Sequence, residues 1–212
     1  MPFSISIETI AADRFTPLVA FKKLAAKALL ESAVLEIGKS RYSILLVEEA
    51  FRLILDQRGV VRITGDQQEI LTTDRGRYLS CLKEFAQAVA SDKNYGLPIP
   101  AAGIGYLGYE TAALFDKIRL TPQEDELKLP DAIFLFGSLF LIFDHYKDEI
   151  YIVAVDYDGQ AQARIQKTKE RLFDHDFRAY QTNDELYHFS GDGRFNCRGT
   201  YIFSCVSFRT DC

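Results

Sequence analysis

Hydrophobic and polar positions near the N-terminus predict a strand, a helix and a second strand. The stretch "SISIET" alternates in polarity and predicts an edge strand. In "RFTPLVAFKKLAAKA", Thr16 can cap a helix that has Pro17 at its first position. The helical period places four residues on the buried face, namely Leu18, Phe21, Leu24 and Ala25. A strand follows in "LLESAVLE", and its two faces are Leu30, Ser32 and Val34 against Leu29, Glu31 and Ala33.

The remaining pattern alternates between meanders of strands and single helices. "RYSILLVEE" predicts a strand, and the next 23 residues predict three short strands with turns at Asp56–Gly59 and Gly65–Asp66. A helical stripe then follows, made of Tyr78, Leu82, Phe85 and Val89, with Cys81 beside it. "ETAALFDKI" fits a short helix, and "TPQEDELKLPD" fits a solvated loop. The apolar run "AIFLFGSLFLIFDH" turns back into "IYIVAVDYD" as a hairpin.

One more helix completes the pattern, in "GQAQARIQKTKERLFDHDF", with Ile165, Leu172 and Phe173 facing inward. Strands in meanders with few helices indicate an α+β fold, with a largely antiparallel sheet or sheets and flanking helices. Repeated βαβ units are not indicated.

The glycines of "AAGIGYLGYE" match the spacing of a dinucleotide-binding fingerprint, Gly103-x-Gly105-x-x-Gly108. That motif needs a buried strand before it and a helix that begins within it. Here two prolines precede the glycines, bulky Tyr106 and Leu107 lie inside the motif, and a hairpin follows. The pattern therefore favours a segment where backbones approach closely, and a nucleotide-dependent oxidoreductase is the disfavoured alternative.

Composition narrows the possible classes. The chain has 212 residues, 48% of them hydrophobic, and a net charge of −5, so a nucleic-acid partner is not expected. No apolar run reaches membrane-spanning length and the start does not fit a signal peptide, so we expect no membrane partner and a cytoplasmic location. The four cysteines and three histidines lack metal-site spacing, so a zinc site is not expected. We expect no other cofactor in this chain.

Five segments occur in an order that resembles a known enzyme family. They are "RFTPLVAFKKL", "LLESA", "GKSRYSILL", "AAGIGYLGYE" and "LPDAIFLFGSLFLIFDH". Together they resemble the N-terminal region of anthranilate synthase component I, over about residues 10–175. The resemblance implies the fold of that region and a place in a lyase that converts chorismate and ammonia, with Mg²⁺, into anthranilate and pyruvate for tryptophan synthesis. Ammonia would come from a glutamine amidotransferase subunit, component II.

The resemblance also implies a regulatory site and no catalytic residue. Leu30, Glu31 and Ser32 match the L-L-E-S motif that borders the tryptophan pocket, where feedback inhibition acts. Glu31 suits an ammonium group, Ser32 a hydrogen bond and Leu30 an indole ring. The alternative is that Glu31 and Ser32 are the exposed face of a strand. Arg41, Tyr42 and Ser43 match R-Y-S and are interpreted as structural, or at most near the site.

The C-terminal part departs from the family pattern. Motifs of the catalytic chorismate-binding domain and its Mg²⁺ site are not found, so we expect a truncated form, inactive alone, with weak tryptophan binding and self-association through an exposed interface. Residues 1–175 would form the family-like domain and residues 176–212 a divergent tail, either frameshifted or disordered. Two alternatives are component I of aminodeoxychorismate synthase, in folate synthesis, and a stand-alone amino-acid-binding module.

Overall fold

The computed structural model describes residues 3–32, 41–89, 95–119, 129–174 and 201–205, with Ser32 and 201–205 described through the backbone alone. Within these ranges the chain forms nine strands: β1 (Ser4–Ala11), β2 (Ala28–Ser32), β3 (Tyr42–Asp56), β4 (Gly59–Thr64), β5 (Gln67–Thr72), β6 (Ile104–Leu107), β7 (Ala132–Asp144), β8 (Glu149–Asp156) and β9 (Tyr201–Cys205). Four α-helices accompany them: α1 (Pro17–Leu24), α2 (Tyr78–Val89), α3 (Ala112–Phe115) and α4 (Ala161–Phe173).

All nine described strands belong to one sheet, whose main path is β1-β8-β7-β3-β2-β9. The long strands β3 and β7 form its centre. One half of β3 pairs with β2 and the other half with β4, while β7 pairs with β6 and β8 in the same divided way. The pairings are antiparallel except that of β2 with β9. The predicted α+β class and the edge position of β1 are confirmed.

The sheet separates two hydrophobic clusters. The first holds Leu53, Tyr78, Phe136 and Phe140, and α2 packs against it. The second holds buried residues of α1 and α4 with inward residues of β2, β3, β7 and β8, namely Phe21, Leu24, Leu29, Leu45, Leu141, Ile150, Ile165 and Leu172. Side chains that alternate along a strand therefore enter different clusters, so the face of each residue of β2 is fixed by its position.

Strand β3 is longer than its sequence pattern predicts. The predicted strand "RYSILLVEE" and the first of the three short strands form one 15-residue strand. The pairing with β7 shifts register between Leu46 and Phe51, at the charged pair Glu48 and Glu49. A β-bulge there interrupts the alternation and explains why the pattern suggested two strands.

Helix α1 begins as predicted, because the Thr16 hydroxyl accepts a hydrogen bond from the Val19 amide at 3.3 Å. The predicted buried face was partly wrong. Leu18 is 49% exposed, and Ala25 is exposed in a left-handed conformation that ends the helix. Ala20 is buried in place of these two residues.

Helix α4 shows one further departure from the predicted inward stripe. Ile165 and Leu172 are buried, but Phe173 is 40% exposed and meets the Phe15 ring edge-on at a centroid distance of 5.5 Å. The predicted continuation of β2 beyond Ser32 lies outside the described residues. Of the predicted tail, 176–212, only residues 201–205 are described, and the boundary at residue 175 stays a prediction.

Candidate functional site

The three predicted site residues lie at the C-terminal end of β2. Leu30 pairs with Ile44 of β3 and packs against the first cluster, whereas Glu31 pairs with Ser43 on the opposite face of the sheet and is exposed. Ser32 is the last residue of the strand. Because Leu30 and Glu31 point to opposite faces, as the alternation predicted, a ligand lying flat on one face can contact only one of these two side chains. A site that uses both has to wrap around the strand end.

Glu31 belongs to a short chain of polar contacts that links β2, β3 and the end of β7. The Ser43 hydroxyl lies 3.4 Å from Glu31 Oε1 and 2.8 Å from His145 Nε2. Ser43 is 3% exposed, whereas Glu31 and His145 are both exposed. A serine hydroxyl has one proton to donate and can accept as well, so the buried Ser43 can contact both exposed groups at once.

An ion pair joins the start of β3 to the end of β7. Arg41 Nη2 lies 2.6 Å from Asp144 Oδ2, and Arg41 Nε lies 3.1 Å from each carboxylate oxygen. The hydrogen bonds from Arg41 hold the pKa of the Asp144 carboxyl below its ordinary value. The His145 amide also donates to the Arg41 carbonyl at 2.9 Å. The interpretation of Arg41 as structural, or at most near the site, stays a prediction; its pairing with Asp144 and its carbonyl contact with His145 join the two strand ends.

The fingerprint glycines lie where two backbones approach closely. β6 pairs with β7, and a Cβ added at Gly105 would lie 1.9 Å from the Ile133 carbonyl oxygen. At Gly103, whose φ is +79°, an added Cβ would lie 2.6 Å from the Leu135 carbonyl oxygen, and at Gly108 one would lie 2.8 Å from that of Asp131. The predicted close-packed segment is confirmed. The helix that follows, α3, has four residues and begins after the motif ends.

Within the described ranges, no group of three or more His, Cys, Asp or Glu side chains is arranged to hold a metal ion. None of the described helices is long and apolar enough to cross a membrane.

Sequence reasoning assigned no role to Asp144 or His145. Asp144 ends β7 and His145 follows it, in the letters "FDH" that were quoted for the family resemblance alone. Asp144 lies 103 residues after its partner Arg41, and His145 lies 102 residues after its partner Ser43. Only the register of β3 against β7, which pairs Ser43 with Phe143, brings them beside Arg41 and Ser43.

Comparison with known proteins adds family information to this geometry. The family described as chorismate binding enzyme matches residues 39–191. Anthranilate synthase component 1 of Spirochaeta aurantia is 37% identical over 177 residues, 82% of this chain and 36% of that protein. The Thermus thermophilus protein of the same name is 35% identical over 174 residues, 78% and 35% of the two chains. A crystal structure of anthranilate synthase component I from Streptococcus pneumoniae covers 78% of this chain and 36% of its own, at 21% identity and a TM-score of 0.47.

The matches show how much of its relatives this chain covers and test the expectation that the chorismate-binding domain is missing. The chain spans only 36% and 35% of the length of these two curated relatives. The expectation that the chorismate-binding domain is missing is not confirmed, because the family match itself covers residues 39–191. That match extends over more than half of the chain, and this chain belongs to the chorismate binding enzyme family.

Proposed function

We propose that this chain is a regulatory and scaffold part of an anthranilate synthase component I, the enzyme that forms anthranilate and pyruvate from chorismate and ammonia or glutamine. The relatives named above support this assignment, since each is an anthranilate synthase component 1. On this proposal the amidotransferase subunit is the partner, tryptophan is the effector, Mg²⁺ belongs to the full-length enzyme, and the location is cytoplasmic. The described residues bind the effector and do not perform the chemistry.

The observation that carries the proposal is that the Glu31 carboxylate is exposed and, in the described part of the chain, unneutralised at the end of β2. Its carboxylate is exposed at the strand end, has no ion-pair partner within the described residues, and accepts a hydrogen bond from the buried Ser43. An unpaired carboxylate held by a neighbour suits the ammonium group of a free amino acid. Leu30, one residue earlier, supplies apolar surface on the other face, and the strand ends at Ser32.

The other carboxylates near the sheet centre fit a structural role better than an acid–base role. Asp144 is paired with Arg41, Glu49 with Arg52 and Asp131 with Arg75, each at 2.6 Å. For Asp144, the paired guanidinium lowers the carboxyl pKa, which keeps the group ionised at neutral pH. A general acid needs the opposite shift, towards the working pH. This favours regulation over catalysis for the described part of the chain.

A ligand titration tests the proposal. We expect L-tryptophan to bind the full chain weakly, with a Kd of about 1 mM, because a site shared with a further domain lacks part of its contacts. Chemical shifts of the β2 and β3 amides in NMR spectra report binding directly. Indole-3-propionate, which keeps the indole and the carboxylate but lacks the ammonium group, is the matched control ligand.

Two variants separate recognition from general effects of charge. Glu31→Gln should abolish the tryptophan shifts, whereas Glu170→Gln, an exposed substitution on α4, should leave them unchanged. Equal binding of indole-3-propionate and tryptophan would contradict an ammonium site at Glu31. A micromolar Kd that is lost in Ser32→Ala would instead favour the second candidate, a stand-alone amino-acid-binding module. The folate-branch alternative, aminodeoxychorismate synthase component I, is disfavoured by Glu31, because that relative more often has Asp in the motif.

A further inference from the structure

His145 is an exposed side chain that the proposed function does not yet use, although it contacts the site. Its Nε2 atom lies 2.8 Å from the Ser43 hydroxyl oxygen, well within the ordinary range for a nitrogen–oxygen hydrogen bond. The ring also lies beside the Phe143 ring, with an interplanar angle of 23° and a centroid distance of 6.4 Å. Its backbone amide donates to Arg41. His145 is thus anchored through its backbone and contacts Ser43 through its ring.

The proton arrangement around Ser43 follows from counting donors. Ionised Glu31 can only accept, so in the contact at 3.4 Å, which is long for a hydroxyl–oxygen hydrogen bond, Ser43 is the donor. Ser43 then has no proton left for His145, and the contact at 2.8 Å requires the Nε2–H of the imidazole to donate to Ser43. The only arrangement that satisfies both contacts runs from His145 through Ser43 to Glu31.

We propose that His145 is a positioning residue for the amino-acid site: its Nε2–H donates to Ser43, directs the Ser43 hydroxyl proton to Glu31, and so holds the Glu31 carboxylate where a ligand's ammonium group can meet it. The inference rests on the proposed function. Charged neighbours support this role. Arg41, which precedes Ser43 by two residues, is paired with Asp144 by three contacts of 3.1 Å or less, so its guanidinium does not neutralise Glu31.

The first measurement needs no ligand. Long-range ¹H–¹⁵N NMR spectra of the imidazole show which ring nitrogen carries the proton, and His145→Gln assigns the resonance among the three histidines of the chain. We expect neutral His145 to carry its proton on Nε2 in the wild-type protein. A proton on Nδ1 would mean that Ser43 donates to His145 and not to Glu31, which overturns the proposal.

The second measurement is the tryptophan titration by NMR. His145→Phe keeps a ring but removes the donor, and we expect it to raise the Kd for L-tryptophan about fivefold, as the loss of one ordinary hydrogen bond would. His145→Gln keeps an N–H donor at nearly the position of Nε2 and should restore most of the affinity. Tyr146→Phe is the matched control, because it changes an exposed aromatic ring at the adjacent position and leaves the contact between His145 and Ser43 in place.

The outcomes distinguish the two proposals. If wild-type protein binds tryptophan and Glu31→Gln abolishes binding, while His145→Phe binds as well as wild type, then the positioning role is wrong and the proposed function stands. Equal losses in His145→Gln and His145→Phe would also overturn the role, since the donor would not matter. If wild-type protein does not bind tryptophan, the proposed function fails, and the ligand role of His145 fails with it whatever tautomer the ring holds. Each variant's melting temperature is compared with that of Tyr146→Phe, and similar values exclude loss of folding as the cause of weaker binding.

Discussion

Replacement of Gly105 by alanine tests whether the Gly103-x-Gly105-x-x-Gly108 segment is a packing feature. The new Cβ would lie 1.9 Å from the Ile133 carbonyl oxygen and 2.6 Å from the Phe134 Cα, both backbone atoms of the central strand β7. Since no rotamer change can relieve contact with a backbone, β6 has to withdraw from β7 by more than its hydrogen bonds tolerate. The bonds at risk join Gly105 and its neighbours to Phe134 and the residues beside it.

The magnitude follows from what β6 buries. Ile104 is 3% exposed, and the burial of such a side chain contributes about 1.5–3 kcal/mol, to which weakened strand hydrogen bonds add about 1 kcal/mol. We therefore expect Gly105→Ala to lower the free energy of unfolding by about 3 kcal/mol and the melting temperature by roughly 6–12 °C for a chain of this size.

Urea unfolding followed by circular dichroism measures this change, with Gly76→Ala as the matched control. At Gly76 the added Cβ would meet only the Asp74 carboxylate at 3.3 Å and the Leu114 carbonyl oxygen at 3.9 Å, and the residue is exposed. We expect the control to change stability by less than about 0.5 kcal/mol. Equal stability of Gly105→Ala and Gly76→Ala would refute the packing explanation of the motif.

Three further predictions concern the ion pair, the surface and the chemistry. Because Arg41 holds the pKa of Asp144 below its ordinary value of 3.8, ionised Asp144 stabilises the fold above that pH, and this contribution is lost as the pH falls through the folded-state pKa. Asp144→Asn should therefore lower the free energy of unfolding by about 2 kcal/mol at pH 7. The same variant should show a weaker loss of stability on acidification than the wild-type protein. Wild-type protein should self-associate in light scattering through the apolar side chains around Tyr109, which is 79% exposed, and Tyr109→Ser should reduce the mass; a strictly monomeric wild type would contradict this. With chorismate, ammonia and Mg²⁺ the chain should give no anthranilate fluorescence above background, and a signal would show that it is catalytic alone.

Much of the fold could be predicted because periodicity and turn chemistry agree along most of the chain. The Thr16–Pro17 start of α1, the two turns after Asp56 and the β7–β8 hairpin each rest on local residues, and the structure has all of them. The misses have local causes as well. Leu18 was assigned inward by period alone, but a helix of eight residues buries only part of a stripe.

The candidate site was predictable only in part, because its members come from different strands. Glu31 was identified through a short contiguous motif. Its partner Ser43 was present in a second motif, yet the sequence offered no reason to pair the two, since that pairing depends on the antiparallel register of β2 and β3. His145 follows β7, the neighbour of β3 on the side away from β2. Its place beside Glu31 therefore depends on the register of β2 with β3 and also on that of β3 with β7.

The presence of a serine at position 43 is not explained by packing of the sheet, and it favours a binding role for this end of the sheet. Its neighbours on the same face of β3, Leu45 and Val47, are buried and apolar, and nothing in the alternation requires a hydroxyl at a position that is 3% exposed. A buried hydroxyl is costly unless it is hydrogen-bonded, and here both of its partners are exposed side chains that water could satisfy instead. An apolar residue would therefore serve the fold at least as well, with Glu31 and His145 solvated separately. What the serine adds is a fixed relation between these two side chains, which a site for a charged ligand can use and a core cannot.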